Sequence, residues 1–371
     1  MDLRYDKDFG ENTNIMARAY YSYYGYEGKY VYDGPPALIN RDSATGKWWG
    51  TELTLTRRFF EHHKVTVGGE FQDNFLQKQK NYDEQPYALR LNDKGRSYVY
   101  ALYLQDEFSV LKNLLLNVGV RYDYYETFGG TTNPRAALIY RPFEKMAMKF
   151  IFGQAFRAPN IYELYYDDGG IAQKANPYLK PEEITTYEVV LEQYVKNYRL
   201  SLGGFYYQIQ DLISQQLDPK DGLLVFRNID EVTSKGLEFQ AEGQWRNGFS
   251  GRFSYSYQEA EIAGVGSLLT TSPKHLLKVN VAIPVVGEKL STGVEMLYTS
   301  GRKTMDGSYT GGYTTANVTL LSRNLLPNLE LSGTIYNLLN KKYSDPAGGE
   351  LRQKALEQNG TTFRVKCTYR F

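Results

Sequence analysis

No run of about 18 apolar residues occurs in the 371-residue chain, which excludes a transmembrane helix but not a transmembrane β-strand, where only every second residue is apolar. Cysteine is almost missing. Cys367 stands alone, so no internal disulfide forms, and it reads as a small hydrophobe rather than a thiol site. Histidine is limited to His62, His63 and His275. Net charge is small, +1 from 43 basic and 42 acidic residues, a balance that points away from nucleic acid. Asp2-Leu3-Arg4-Tyr5-Asp6-Lys7-Asp8 offers neither the charged n-region nor the apolar h-region of a secretion signal. The sequence is therefore expected to be a mature piece or an incomplete reading frame.

What the chain does contain is alternation. Near the C-terminus Phe363, Val365, Cys367, Tyr369 and Phe371 occupy one parity, and Thr362, Arg364, Lys366, Thr368 and Arg370 the other. Side chains of a strand point alternately to opposite faces, so this segment separates two media. In a soluble sandwich the apolar face is the core; in an outer-membrane barrel it meets lipid while the charged face meets the lumen. An aromatic end inside the last strand points to the barrel, whose terminal strand has to close against the first.

Repetition decides between them. Period-two segments number about 17, and their connections alternate in length. Tight turns fall at Gly10 to Thr13, Phe60 to His63, Pro142 to Lys145, Lys196-Asn197, Asn247-Gly248, Val285 to Glu288 and Arg323 to Asn328. Long polar segments fall at Gly25 to Gly46, Asn74 to Gly95, Ala158 to Glu183, Glu261 to Ser272, Gly301 to Gly312 and Asn340 to Gly360. Leu223 to Trp245 reads as one long strand with a bulge near Gly236. Short turns at one end and long loops at the other match the periplasmic and extracellular ends of an outer-membrane barrel. Tyrosine and glycine at 34 residues each agree, glycine alone averaging about 7%. Trp48-Trp49, Tyr124-Tyr125, Tyr206-Tyr207, Trp245, Tyr298 and Tyr343 suit the headgroup level; packing against a neighbouring strand accounts equally for any one of them. The expected fold class is all-β, a transmembrane antiparallel barrel. It is expected to be incomplete, since an odd strand count leaves the two ends running in parallel and open edges in lipid leave unpaired N–H and C=O groups.

Phe156-Arg157-Ala158-Pro159-Asn160, Ile161-Tyr162-Glu163-Leu164-Tyr165 and Asn176-Pro177-Tyr178-Leu179-Lys180-Pro181-Glu182-Glu183 are followed by Phe205-Tyr206-Tyr207, Asp211-Leu212-Ile213, Arg227-Asn228, Lys235-Gly236-Leu237-Glu238, Ser272-Pro273-Lys274-His275 and Tyr336-Asn337-Leu338-Leu339-Asn340-Lys341-Lys342-Tyr343. In order and spacing this resembles the C-terminal barrel of TonB-dependent outer-membrane receptors, from about Arg135 to Phe371, with the earlier strands similar by alternation only. The resemblance implies a receptor barrel over residues 1–371, without plug domain or signal peptide, in the outer membrane of a Gram-negative bacterium. It implies no cofactor. The partners implied are membrane lipid, the barrel-assembly machinery and a small-molecule nutrient chelate, with the TonB system added only where a plug is supplied. The nutrient implied first is a ferric siderophore, with cobalamin as the alternative; a plugless passive pore is the reading from another class.

Haem receptors of the family carry a histidine between the first and third motifs. Asn160 to Ala175 contains none, which argues against axial haem ligation. Tyrosines mark the long segments instead: Tyr23, Tyr24, Tyr26, Tyr30 and Tyr32 in the first, Tyr162, Tyr165 and Tyr166 in another. Tyr26, Tyr30, Tyr165, Tyr166, Arg302 and Tyr309 are the candidate substrate contacts, an aromatic and cationic set suited to an anionic catecholate chelate. Loop tyrosines that merely cover a barrel mouth would look the same. Asp167 and Asp168, and Asp218 with Asp221, are candidate Ca²⁺ ligands by their oxygens, or else solvated turn residues. Glu182 with Glu183, and Glu188 with Glu192, have no nucleophile or histidine beside them, so no enzymatic activity is expected.

Overall fold

The computed structural model describes residues 1–32, 36–229, 231–264, 266–287, 289–326, 328–348 and 351–370. Glu288 and Pro327, each in an expected tight turn, and Phe371, the expected terminal aromatic, lie outside them. In chain order the strands are β1 (Asp2–Phe9), β2 (Thr13–Tyr32), β3 (Leu38–Phe59), β4 (His63–Asp83), β5 (Ala88–Leu111), β6 (Leu114–Tyr125), β7 (Gly129–Phe143) and β8 (Met146–Arg157). Helix α1 (Ile161–Tyr165) and β9 (Gln173–Lys174) precede β10 (Glu182–Val195), β11 (Tyr198–Gln210), β12 (Ile213–Leu217), β13 (Leu224–Asn228), β14 (Val232–Gln244) and β15 (Ser250–Ile262). The remainder are β16 (Ser267–Leu268), β17 (His275–Val286), β18 (Leu290–Thr299), β19 (Tyr313–Leu326), β20 (Leu329–Tyr336), β21 (Ser344–Pro346), β22 (Ala355–Glu357) and β23 (Thr362–Tyr369). Eighteen strands join one sheet, among them the two-residue β16, so the expected count of about 17 holds.

The chain forms two compact units, residues 1–138, 151–186 and 208–231, and residues 139–150, 187–207 and 232–371. In the first, Ile15, Leu55, Val67, Leu104 and Val120 face one another in a row across β2 to β6. Leu104 is 50% exposed and Val67 46%. The opposite parity, three residues on, reads Arg18, Glu52, Glu70, Ala101 and Asp123, and there Ala101 and Asp123 are buried. The second unit repeats the scheme, with Val281, Val294, Val318, Ile335 and Phe363 in one row and Glu242, Arg252, Asn280, Glu295 and Asn317 in another. A sheet whose exposed face is apolar and whose sheltered face is polar is what hydrocarbon demands and water forbids.

On the inner face of the first unit Tyr20 lies across Gly50 and Tyr103 across Gly68, their direct strand partners. A Cβ at either glycine would overlap the ring, so only glycine lets the phenols lie down. Lying so, Tyr20 Oη donates to Gln72 at 3.0 Å and Tyr103 Oη to Glu52 at 3.0 Å.

Three sequence expectations change. Gly25 to Gly46 and Asn74 to Gly95 are not open loops, because β2 to β5 run for 20, 22, 21 and 24 residues while about 9–11 suffice to cross a membrane. Roughly half of each strand continues past the hydrocarbon, where both faces are wet and the ladder persists without apolar alternation. Leu223 to Trp245 is not one strand: β13 departs into a small sheet, antiparallel to β12 and parallel to β9. Asn340 to Gly360 contains the paired β21 and β22. At the margins, every residue of β1, which pairs with β2, and seven of the eight in β23, which pairs with β20, are exposed.

Candidate functional site

Within the first unit, the end of β8 is tied to α1 by a compact cap. Five helical residues cannot hold themselves together, and the sequence supplies the remedy. Asn160 Oδ1 accepts from the Glu163 N–H at 3.0 Å while Glu163 Oε2 accepts from the Asn160 N–H at 2.8 Å, a reciprocal capping box. Leu164, fully buried, packs with Leu179 and Ile213 against Tyr165 and Phe226. Arg157 donates to Glu163 through Nη1 at 3.0 Å and to Glu182 through Nε and Nη2 at 2.6 and 2.8 Å. Asn228 accepts from the Lys180 N–H and donates to the carbonyls of Lys180 and Asp211. The motifs around Arg157, Asn176, Asp211 and Asn228 are thus parts of one clasp.

Beside α1 opens a cavity of about 710 Å³. Its walls come from the inward parity of the extended β2, β3 and β4: Tyr24, Tyr26 and Tyr30; Asp42 and Trp48; Gln77 and Gln79. Tyr162 and Tyr166 of the α1 segment close one side, their rings 4.6 Å apart. Tyr166 Oη accepts from Asn81 Nδ2 at 2.8 Å and donates to Asp42 at 3.4 Å. Tyr162 Oη donates to Gln173 at 2.9 Å, and the Tyr26 and Tyr30 hydroxyls meet directly. Burial pushes the Asp42 carboxyl above its usual range and the Tyr166 phenol upward, reinforced by Asp42. The bond to Tyr30 raises Tyr26. Tyr26 and Tyr166 stay neutral at physiological pH, and the cavity offers hydroxyls, amides and ring faces. Lys78 also borders it but belongs to the outward parity, between the inward Gln77 and Gln79.

Of the residues singled out from the sequence, Tyr26, Tyr30 and Tyr166 come together here. Tyr165 sits in the cap's apolar core. Asp167 accepts from the Gly169 N–H, and Asp168 accepts from the N–H groups of Ile171, Ala172 and Gln173, as turn carboxylates do. Asp218 pairs with Lys174 and Arg227, and Asp221 with Lys174. Among the described residues no cluster of three His, Cys, Asp or Glu forms. In the second unit, Arg302 pairs with Asp345 and lies over the Tyr313 ring, while Tyr309 is exposed and bridges Lys303 by backbone. Asp42, Gln77, Gln79 and Asn81 were not singled out, and Trp48, expected with Trp49 at the headgroup level, faces the cavity instead. The run Gln77, Gln79, Asn81, Asp83 on one parity of β4 was the available signal.

The family model "TonB dependent receptor-like, beta-barrel" matches residues 1–338. The chain belongs to the TonB-dependent receptor family. Among curated relatives, this receptor chain is 29% identical over 313 residues to the vitamin B12 transporter of Photobacterium profundum, covering 81% of this chain and 48% of the relative. It is 27% identical over 256 residues to that of Vibrio cholerae, covering 66% and 39%. The chain thus spans half or less of the length of these relatives. Among solved structures, the ferric citrate transporter FecA superposes with a TM-score of 0.79 at 16% identity, over 100% of this chain and 61% of that one, a likeness of fold. These proteins are transport receptors, and the outer-membrane barrel fold is shared with them.

Proposed function

We propose that the chain is the larger part of the barrel of a receptor that takes up a bulky, hydrogen-bonding nutrient of low net charge, a corrinoid such as cobalamin, through the tyrosine cavity. The charge balance of that cavity carries the reading. Five phenols and several amides converge on it with a single acid, Asp42, and no inward-facing Lys or Arg among the described residues lining it. A polyanionic catecholate chelate, the siderophore expected first from the sequence, is bound best where guanidinium and ammonium groups face it. A corrinoid, rimmed with neutral amides, finds donors, acceptors and ring faces. The relatives named as vitamin B12 transporters, at 27 to 29% identity, support the same nutrient. Release would require a plug domain and TonB acting on it.

The polypeptide that carries this chain, in detergent, titrated calorimetrically with cyanocobalamin and with ferric enterobactin, separates the readings. Saturable cobalamin binding, weakened about fivefold by Tyr166→Phe through loss of one hydrogen bond, is expected. Binding of the iron chelate alone would replace the corrinoid with a siderophore. Steady conductance in a planar bilayer with no saturable binding would make the protein a passive pore.

A further inference from the structure

The outward parity of β2 to β5 changes character partway along. Leu55, Val67 and Leu104 give way to an aromatic belt, with Trp49 5.6 Å from Phe71, Tyr21 6.2 Å from Phe75 and Tyr100 4.8 Å from Tyr124. Such a belt marks the membrane interface. Immediately past it the same parity carries Lys47 on β3, Lys78 and Lys80 on β4, and Lys94 on β5. Lys47 lies two residues beyond Trp49. Lys78 is level with Thr45, four residues beyond Trp49. At about 3.3 Å per residue and a tilt near 40°, these positions stand about 5 to 10 Å above the rings, in and just above the headgroup layer.

Lys78 and Lys94 are direct cross-strand partners, and like charges facing each other across a ladder are destabilising. Their own structure does little to relieve them. Lys47 and Lys80 lie over the Tyr23 and Tyr82 rings at 6.0 and 4.7 Å, yet among the described residues no carboxylate comes within 4.0 Å of any of the four ammonium groups. The acids nearby are engaged: Asp73 by Arg96 at 2.7 Å, Glu84 by Arg41 at 2.5 Å, and Glu126 by the Tyr98 N–H at 3.1 Å. Among the described residues of this face Glu27, opposite Ser43, is the acid left to offset the four lysines.

We infer that this patch, on the lipid side of the sheet, binds the phosphorylated headgroup of an anionic membrane lipid. Charge complementarity calls for more than one phosphate, and the apolar row below the belt, Leu53, Leu102 and Leu104, is placed to receive the acyl chains of the same molecule. A free anion would use only the upper half. Each lysine near a headgroup contributes about fivefold to binding, so losing two lowers it about 30-fold.

The polypeptide carrying this chain is reconstituted in phosphatidylcholine nanodiscs doped with lipid A, a bisphosphorylated glycolipid, and bound lipid A is counted by native mass spectrometry. Expected results are retention by the parent, loss of about 30-fold in Lys78→Gln/Lys94→Gln, no change in Lys145→Gln at a tight turn, and weakening of the parent by 0.5 M salt. Strand circular dichroism and heat-modifiable migration confirm that the double variant is folded, and the salt arm needs no variant. Undiminished retention in the folded double variant would overturn the inference. So would retention in the parent that salt leaves unchanged, or displacement of lipid A by millimolar inorganic phosphate, which would mark a site for free anions.

Discussion

Replacing Arg157 with alanine tests whether the cap beside the cavity is held by charge. Its guanidinium bridges two sheltered carboxylates: Glu163, 8% exposed, and Glu182, whose side chain is 13% exposed. Without it they face each other uncompensated, while Glu182 still has to accept from the Ile213 N–H. Breaking a fully buried pair costs about 3–5 kcal/mol. Because the Arg157 side chain is 44% exposed, water recovers part of that, and about 2 kcal/mol remains. Local opening of the cap should then rise about 30-fold. Hydrogen exchange reads it directly at the Leu164, Tyr166 and Ile213 amides, whose acceptors are Asn160, Tyr162 and Glu182. The Leu104 amide in the main ladder serves as the unaffected reference, and Arg157→Lys should restore only part of the protection, an ammonium being unable to clasp two carboxylates in the same fork. If Arg157→Ala leaves those three amides within about threefold of the parent, the clasp is ornamental and the reasoning fails.

Leu164→Ala should cost about 2–5 kcal/mol by opening a cavity in the cap's core, seen as the same exchange pattern without any pH dependence. Lys174 beside Asp218, helped by the Lys220 N–H, lowers that carboxyl from 3.8 to about 2. The stability it lends the β9–β12–β13 sheet is therefore present above pH 4 and lost as the pH falls through 2; exchange at the Val225 amide should accelerate over that window, and Asp218→Asn should abolish the dependence. Spin labels at Val118 and Val279 should report hydrocarbon and labels at Asn117 and Lys278 water; the reverse would overturn the lipid-facing parity.

The sequence made the tight ends of the hairpins legible. At Lys196-Asn197 the strands stop and restart at Val195 and Tyr198, and Asn247-Gly248 turns with Gly248 at a φ of +86°, which glycine adopts freely. The strand count emerged because lipid on one side and water on the other force alternation. Beyond the hydrocarbon that contrast ends, so Tyr26 to Tyr32 and Gln77 to Asp83 continue as strand without showing it. The cavity was half legible for the same reason. Its tyrosines announced themselves by number, but Asp42, Gln79 and Asn81 are unremarkable polar residues until a ladder brings them level. Nor could sequence separate Tyr165 from Tyr166, because one step along the chain at the helix end turns a side chain from the cap's apolar core to the cavity wall.

The glycines beneath Tyr20 and Tyr103 set the relief of the inner face. Rings laid flush against their neighbours keep that surface low. A single methyl at position 50 or 68 would stand the phenol upright and part its hydroxyl from Gln72 or Glu52.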